Sequence, residues 1–245
     1  MTNGDNNKSQ QYLLKFSPHT YLGEEDFFVT DCNKLAYETV KVWPYWQHFA
    51  LCIYGPKSSG KSHLAHIWIN RVQKSLSKPT DIPIIQAQNI NMKNFNKFAN
   101  TYNYLVIENL ENFSNEEALF HLYNAYNVSN RFILFTSEQP IANLNIKLPD
   151  LRSRLNTIPS AKINLPDDEM LTALIAKLFN DRQIIISQEI LDYILKHTER
   201  SFEYISRLIN EIDDISLTYS RAVTIPIIRE AVKNLEKNQQ LDLFI

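Results

Sequence analysis

A glycine-framed octapeptide is the first segment of this sequence whose residue types could do chemistry. It fits the pattern G-x-x-x-x-G-K-[S/T] and consists of Gly55, Pro56, Lys57, Ser58, Ser59, Gly60, Lys61 and Ser62. Such a loop meets phosphate groups with backbone N–H donors, because its glycines permit a tight backbone and a following helix adds unpaired N–H groups. Lys61 would reach the β- and γ-phosphates, and the Ser62 hydroxyl would hold Mg²⁺. An apolar run precedes the loop and a helical pattern follows it, so the motif predicts a site for ADP or ATP with Mg²⁺.

A second polar element follows the apolar run that ends at Ile107. Glu108 stands where a nucleotide-hydrolysing protein of this type keeps the carboxylate that organises Mg²⁺, although an exposed charge at a strand end is the alternative interpretation. Asn109 stands at the position of the usual catalytic acid, and a neutral amide cannot accept a proton as a general base. The chain is therefore better equipped to hold a nucleotide than to cleave it. We expect at most a weak ATPase when it acts alone.

The elements that must position these residues alternate between short apolar runs and helix-length segments. The strand candidates are 50–54, 82–86, 104–107, 131–136 and 161–165. Continuous apolar strands separated by helices are typical of a buried parallel sheet with crossover helices. Ser114 is a candidate N-cap for a helix over 115–127. After Pro166 only helical periodicity remains, over 167–181, 187–197, 201–221 and 224–236.

This order predicts an α/β domain with a five-stranded parallel sheet, followed by a small all-helical lid. The expected divisions are a flexible tail over 1–10, the α/β domain over 11–165, the lid over 166–236 and a C-terminal tail over 237–245.

The composition is that of an ordinary globular protein, with 44% hydrophobic and 21% charged residues. A formal net charge of −2 supplies no broad electrostatic footprint for nucleic acid. The N-terminus has no apolar core of a signal peptide, and no apolar run approaches the roughly 20 residues that span a bilayer. We therefore expect a cytoplasmic protein with no membrane partner. Cys32 and Cys52 lack metal or disulfide spacing and are predicted to be small core residues.

Several segments occur in an order that is specific when they are taken together. They are Glu25-Asp-Phe-Phe-Val29, Ser62-His-Leu-Ala-His-Ile-Trp68, Leu105-Val-Ile-Glu-Asn109, Phe135-Thr-Ser-Glu-Gln-Pro140 and Leu148-Pro-Asp-Leu-Arg-Ser-Arg-Leu155. With the glycine loop and the helical lid, they resemble the AAA+ family in its DnaA branch, and within it the Hda type of regulatory inactivator. The resemblance extends over about residues 11–236 and implies an AAA+ P-loop domain with a helical lid.

The resemblance implies roles at matching positions of the α/β domain. Phe28 and Val29 would lie against the adenine, and Thr136 or Ser137 would be the polar sensor at the end of the fourth strand. Arg154 would be an arginine finger that projects into the nucleotide site of a neighbouring subunit. A guanidinium supplied in trans neutralises charge on the transferring phosphoryl group and is worth about 10³ to 10⁵ in rate.

Two features set limits on these roles. The alternative interpretation of Arg152 and Arg154 is a solvated helix start. In the lid, the family keeps a second sensor arginine that contacts the γ-phosphate, and the aligned position here holds Glu203. Arg200 or Arg207 lies about one turn to either side and would be its substitute. Without that arginine, an ADP-holding scaffold is the more natural interpretation.

The two ends of the chain carry candidate anchors for the β sliding clamp of the replicative polymerase. The C-terminal candidate is the pentapeptide Gln240, Leu241, Asp242, Leu243 and Phe244, which resembles the bacterial clamp-binding motif Q-L-[S/D]-L-F. A looser N-terminal candidate comprises Gln11, Leu14 and Phe16. The alternative interpretations are a C-terminus that folds back on the core and an N-terminal segment that packs on the sheet domain.

Three functional hypotheses follow. The leading one is a regulatory AAA+ adaptor that, tethered to the clamp, presents Arg154 to ATP-bound DnaA and promotes hydrolysis there. DnaA and the clamp are then its partners, and DNA is contacted only through them, since no helix-turn-helix segment follows the lid. The alternatives are a self-sufficient AAA+ ATPase, such as a DnaA-type initiator or a helicase-loader relative, and an interaction module with a vestigial nucleotide site. A homo-oligomer of this chain is a further alternative.

Overall fold

The structure of the chain is a computed structural model. The residues that it describes are 23–128, 131–219 and 222–242. The predicted segments that lie outside them are the 1–10 tail, Gln11, Leu14, Phe16, Leu243 and Phe244.

Five parallel strands form one sheet in the order β2-β3-β4-β1-β5. Their bounds are β1 (Ala50–Tyr54), β2 (Ile84–Gln86), β3 (Tyr104–Glu108), β4 (Phe132–Ser137) and β5 (Ser160–Lys162). In this register Gln86 lies beside Glu108, and Ile53 lies beside Thr136. The predicted five-stranded parallel sheet is therefore confirmed. Its register also brings polar residues from several strands to one edge, because parallel strands all end on the same side.

Nine α-helices accompany the sheet in the described part of the chain. In the α/β domain they are α1 (Lys34–Lys41), α2 (Lys61–Ser75), α3 (Phe95–Thr101), α4 (Glu116–Asn127) and α5 (Pro149–Leu155). In the lid they are α6 (Asp168–Asp181), α7 (Gln188–His197), α8 (Phe202–Tyr219) and α9 (Ile225–Asp242). The sequence patterns did not predict α1 or α3, which are only eight and seven residues long.

The core has one layer on each face of the sheet and a separate cluster in the lid. Along β1, Leu51 and Ile53 face the layer that contains α2, whereas Ala50 and Cys52 face the layer that contains α4. This division follows from the alternation of side chains along a strand. Both cysteines are buried and free, as predicted. The lid cluster is built mainly from isoleucines and leucines of α6 to α9.

The helix over 116–127 has a different N-cap from the one that its sequence suggested. Asn115 adopts an extended backbone, and its side-chain oxygen accepts a hydrogen bond from the Ala118 amide at 2.8 Å. Ser114 instead donates from its hydroxyl to the Gln88 carbonyl at 2.9 Å. Asn115 takes the cap because its side chain reaches the amide three residues ahead. The prediction of Ser114 was wrong by one position.

The predicted start of the C-terminal tail at residue 237 is also wrong. Helix α9 continues to Asp242, so the backbone of Gln240, Leu241 and Asp242 is helical. The stretch from Lys237 onward contains no glycine or proline, and lysine, glutamine and leucine are good helix formers. Nothing in the sequence therefore stops the helix where the tail was expected to begin.

Candidate functional site

The glycine loop connects β1 to α2, as its motif requires. Gly60 has φ +91° at the helix N-cap, in the left-handed region that favours glycine. A Cβ at Gly55 would lie 2.7 Å from the Ile163 carbonyl oxygen, so the backbone of the β5 exit passes too closely for any side chain. Each glycine is thus required by the local geometry. The resulting loop aims the N-terminus of α2 at the sheet edge, where an anion is favoured.

Lys61 lies folded over the loop that precedes it. Its Nζ donates to the carbonyl oxygens of Gly55 at 2.8 Å and Pro56 at 2.7 Å, and the residue is 8% exposed. Burial lowers the pKa of the ammonium, while the charges of Glu138, Glu111 and Glu108 oppose that shift. The lysine is therefore held at the loop by neutral carbonyls. An anion on the loop amides would provide it with a stronger partner.

Ser62 and Glu108 meet at the end of β3, although they are far apart in sequence. The Ser62 hydroxyl donates to Glu108 Oε1 at 2.5 Å, and Gln86 Nε2 donates to Glu108 Oε2 at 3.0 Å. A hydroxyl and a carboxylate are the hard oxygen ligands that Mg²⁺ prefers. The structure thus brings together the pair that the sequence proposed for Mg²⁺, and their chemistry fits that ion.

The side-chain amide of Asn109 donates a hydrogen bond at the sheet edge and cannot act as a general base. The residue has φ +54°, its Nδ2 donates to Gln86 Oε1 at 2.6 Å, and its backbone N–H donates to Thr136 Oγ1 at 3.3 Å. Thr136 is buried at the end of β4 and is thus joined to the β3 exit. Ser137, the alternative sensor, is fully buried. The structure brings Thr136, Asn109 and Glu108 to one edge of the sheet.

Gln86 is a member of this edge that the sequence analysis missed. Its one amide group receives a hydrogen bond from Asn109 and gives one to Glu108. The sequence did contain a signal for Gln86, because it is the single polar residue of the strand Ile84–Gln86 and lies at the carboxyl end of that strand. Its partner could not be named without the β2–β3 register.

Glu111 is a second missed residue, and no sequence signal pointed to it. A short 3₁₀ turn over Leu110–Asn112 directs its side chain back to the site, where Oε2 accepts the Glu138 amide at 3.0 Å. Its Oε1 is buried and has no hydrogen-bond partner among the described residues. The Glu111 charge acts on Lys61 and supports the protonated ammonium. A carboxylate therefore lies near the loop even though Asn109 is neutral.

A cavity of about 740 Å³ adjoins the loop and separates it from the lid. On the α/β side its lining includes Phe28, which is 47% exposed, and residues Ser58 to Gly60. Val29 is partly buried and does not belong to the lining. The size suits a nucleoside, since small-molecule sites commonly measure about 300–1,000 Å³. Of the two residues predicted to lie against adenine, only Phe28 faces this cavity.

The segment that carries Phe28 is tied to the α/β domain at several points. His63 Nε2 lies 2.7 Å from the Gly23 carbonyl, and its ring meets Phe27 edge-on at 5.1 Å. Asn33 Nδ2 donates to the Phe28 carbonyl at 2.9 Å. Burial lowers the pKa of His63, so the neutral ring that donates to Gly23 is favoured. The wall of the cavity is therefore held in place by helix α2, which begins at the loop.

The lid wall of the cavity is mostly apolar, with one cation. Met170, Leu174 and Phe202 belong to its lining, and Lys177 donates from Nζ to the Asp26 carbonyl at 3.0 Å. The lid thus contacts the α/β domain directly.

The three lid residues that were candidates for the second sensor lie outside the cavity lining. Glu203, Arg200 and Arg207 are not among the residues that line this cavity. Arg200 pairs with Asp168 at 2.8 Å in an exposed ion pair. Arg207, the arginine of α8, therefore does not line the cavity beside the glycine loop.

Arg154 lies on helix α5, away from the cavity lining. Its guanidinium stands over the Phe120 ring, 5.2 Å from the centroid, and the side chain is partly buried. Among the described residues no carboxylate forms an ion pair with it. Arg152, the other arginine of this helix, is exposed and donates to the Ile146 carbonyl. The two arginines thus differ: one is tied to backbone, and the other rests on an aromatic face.

Two kinds of feature are absent from the described residues. No group of three or more histidine, cysteine, aspartate or glutamate side chains is placed to hold a metal ion. No helix in the described ranges has both the length and the apolar character needed to cross a membrane.

Comparison with known proteins relates this arrangement to replication initiators. Residues 167–232 match the model of the Hda lid domain. The chromosomal replication initiator protein DnaA of Aliarcobacter butzleri (strain RM4018) is 25% identical over 254 aligned positions, which cover 96% of this chain and 57% of that protein. The chain therefore spans a little over half the length of this curated relative.

Solved structures support the same relationship at the level of the fold. Domain III of DnaA from Thermotoga maritima superposes with a TM-score of 0.76 at 19% identity, over 87% of this chain and 96% of that one. DnaA from Aquifex aeolicus, solved with AMPPCP, gives a TM-score of 0.65 at 21% identity, over 90% and 70% of the respective chains. The chain therefore has the α/β fold of AAA+ proteins with a helical lid, and the sequence of that lid is similar to the Hda lid domain.

Proposed function

We propose that this protein is a nucleotide-holding regulator of replication initiation that stimulates ATP hydrolysis by a DnaA-type initiator. One observation carries the proposal. The phosphate loop and the Ser62–Glu108 pair are assembled, yet the position of the catalytic acid holds Asn109, whose amide is bound to Gln86. Such a site holds a nucleotide well and lacks the base that would activate water.

The bound nucleotide would be ADP or ATP with Mg²⁺. The loop amides and Lys61 would hold the phosphates, Ser62 and Glu108 would hold the metal ion, and Phe28 would lie against the base. The likeness to an AMPPCP-bound DnaA supports an adenine nucleotide. Bound Mg²⁺ would neutralise phosphate charge at this edge.

The stimulating group would be Arg154. It is a guanidinium without a carboxylate partner among the described residues, on a short helix outside the cavity. A guanidinium that enters a neighbour's nucleotide site stabilises the charge of the transferring phosphoryl group. The initiator would thus supply the reacting ATP, and this chain would supply the cation.

The clamp would hold the protein near its target. The segment Gln240–Phe244 is the favoured anchor on the quality of its motif, and Gln11–Phe16 is the second. Helix α9 would present the C-terminal anchor at its end. Deletion of residues 240–245 should abolish binding to immobilised clamp. Clamp binding that survives this deletion, and is lost when Gln11, Leu14 and Phe16 are replaced by alanine, would assign the anchor to the N-terminal segment.

The proposal is tested by measuring hydrolysis of initiator-bound ATP with and without this protein, in the presence of clamp loaded on DNA. The wild-type chain should show negligible turnover alone and should accelerate hydrolysis by the initiator. Arg154→Ala should remove at least about 10³-fold of the acceleration. Arg229→Ala is the matched control, because Arg229 also stands over an aromatic ring, that of Tyr193 in the lid at 5.6 Å. Vigorous turnover by the protein alone would instead indicate a self-sufficient ATPase.

A further inference from the structure

Three side chains of helix α4 lie on one face and contact the region of helix α5. They are Glu116, Phe120 and Tyr123, at spacings of four and three residues. Residues so spaced follow one another along a single side of a helix. We call these three residues the α4 face.

Glu116 holds the chain where α5 begins. Its carboxylate accepts the backbone N–H of Lys147 at 2.8 Å and that of Leu148 at 2.5 Å. Leu148 is the residue that precedes the first turn of α5. Hydrogen bonds to an ionised carboxylate are about twice as strong as neutral ones. The start of α5 is therefore fixed to α4.

Tyr123 holds the chain where α5 ends. Its hydroxyl lies 3.2 Å from Thr157 Oγ1, and the Thr157 hydroxyl donates to the Arg154 carbonyl at 2.7 Å. The tyrosine is 3% exposed, so its position is defined by the core around it. The last turn of α5, which carries Arg154, is thus tied to the same helix as the first.

Phe120 lies between these two ties and meets the Arg154 side chain itself. The guanidinium stands 5.2 Å from the ring centroid, within the range of a cation–π contact. The ring is partly buried and packs against the core of the α/β domain. A long arginine side chain has many rotamers in solution, and a fixed ring selects those that lie flat on it.

We propose that the α4 face positions Arg154 for its action on a partner, with Phe120 as the residue that holds the guanidinium. This inference rests on the proposed function for the role of Arg154, and on the contacts above for the way in which it is held. Phe120 acts through Arg154 and is a positioning residue.

Three variants of the chain test the proposal. Phe120→Leu keeps the apolar bulk and removes the aromatic face, whereas Phe120→Tyr keeps that face. Phe98→Leu is the control, because Phe98 is a partly buried phenylalanine of the same core cluster whose ring neighbour is Tyr102. Each variant is titrated into initiator-bound ATP with clamp loaded on DNA, and both the maximal rate and the half-stimulating concentration are measured.

Phe120→Leu should lower the maximal stimulated rate about three- to tenfold, which corresponds to the usual strength of one cation–π contact. Phe120→Tyr and the control Phe98→Leu should both keep the maximal stimulated rate of the wild-type chain. An equal loss in Phe120→Leu and Phe98→Leu would overturn the proposal, because it would indicate general loosening of the core. A changed half-stimulating concentration at an unchanged maximal rate would also overturn it and would identify Phe120 as a contact to the initiator.

A measurement on the free protein separates this inference from the proposed function. In arginine-labelled protein, the Arg154 Nε–Hε resonance is assigned by its loss in Arg154→Lys. A ring beneath the guanidinium shifts this proton and restricts its motion, so Phe120→Leu should remove the shift and increase the mobility. An unchanged resonance would refute the positioning role. If Arg154→Ala leaves the initiator's hydrolysis unchanged while the resonance responds as expected, the proposed function fails and the positioning stands.

Discussion

The substitution Asn109→Asp offers a direct test of why this site should hold a nucleotide without cleaving it. Asn109 has φ +54° and lies directly after Glu108 at the sheet edge. Aspartate tolerates the left-handed region about as well as asparagine, so the backbone needs no adjustment. The change therefore places a carboxylate at the position of the usual catalytic acid without a change of backbone.

The size of the effect is limited by Gln86. In the wild-type chain Asn109 Nδ2 donates to Gln86 Oε1, and Gln86 Nε2 donates to Glu108 Oε2. An aspartate would face the Gln86 oxygen, so Gln86 must turn its amide and weaken its bond to Glu108. Losing one such hydrogen bond costs about 1 kcal/mol. A positioned general base contributes about 10²- to 10⁴-fold, and we expect the lower part of that range, about 10²-fold.

The assay is single-turnover hydrolysis of radiolabelled ATP by the isolated protein, together with urea unfolding. Asn109→Asp should raise turnover about 10²-fold and lower the free energy of unfolding by about 1 kcal/mol. Asn109→Gly is the control, since it removes the Asn109–Gln86 hydrogen bond, adds no carboxylate and tolerates the positive φ. The reasoning is refuted if Asn109→Asp binds ATP normally and still hydrolyses it no faster than Asn109→Gly. In that case the neutral amide is not what limits cleavage.

Two further outcomes are expected. Gly60→Ala should lower ADP affinity at least about tenfold and destabilise the fold by about 1–2 kcal/mol, because φ is +91° and the new Cβ would lie 3.2 Å from the Phe27 ring. Calorimetry measures the ADP affinity, and an unchanged affinity in Gly60→Ala would contradict the need for glycine at this position. Stability should fall as pH drops below about 6.5, because burial lowers the folded-state pKa of His63 and the unfolded state therefore binds the proton more readily. His63→Gln should make the unfolding free energy less dependent on pH between 7.5 and 5.5, and an equal dependence would contradict this assignment.

Local sequence patterns were sufficient for the sheet and for the loop. Strands β1, β3 and β4 are mainly apolar runs, and the glycine loop needs a particular backbone at Gly55 and Gly60. Both signals are carried by neighbouring residues, so they can be interpreted without the fold. The errors were also local. Strand β5 is only Ser160–Lys162 and ends before the predicted 165, because its exposed serine and lysine carry little apolar signal. Asn115 rather than Ser114 caps its helix, and α9 continues to Asp242 because no residue breaks it.

The contacts that define the site required the tertiary structure. Gln86 joins Glu108 and Asn109 only because β2 and β3 pair in parallel with their ends in register. Glu111 reaches the Glu138 amide through a short 3₁₀ turn that no periodicity in the sequence predicts, and from there its charge acts on Lys61.

The same contrast between local sequence patterns and tertiary contacts applies to the residues that surround Arg154. From the sequence, Arg154 is one of two arginines in a short helical run, and a solvated helix start was the alternative interpretation. The structure separates them, because Arg152 bonds to backbone and Arg154 rests on Phe120, which is 34 positions earlier in the chain. The sequence by itself identified the residues that could bind phosphate and Mg²⁺, since these motifs are made of neighbouring residues. Which of those groups meet was decided by the packing of α4 against α5 and by strand register, and both are non-local.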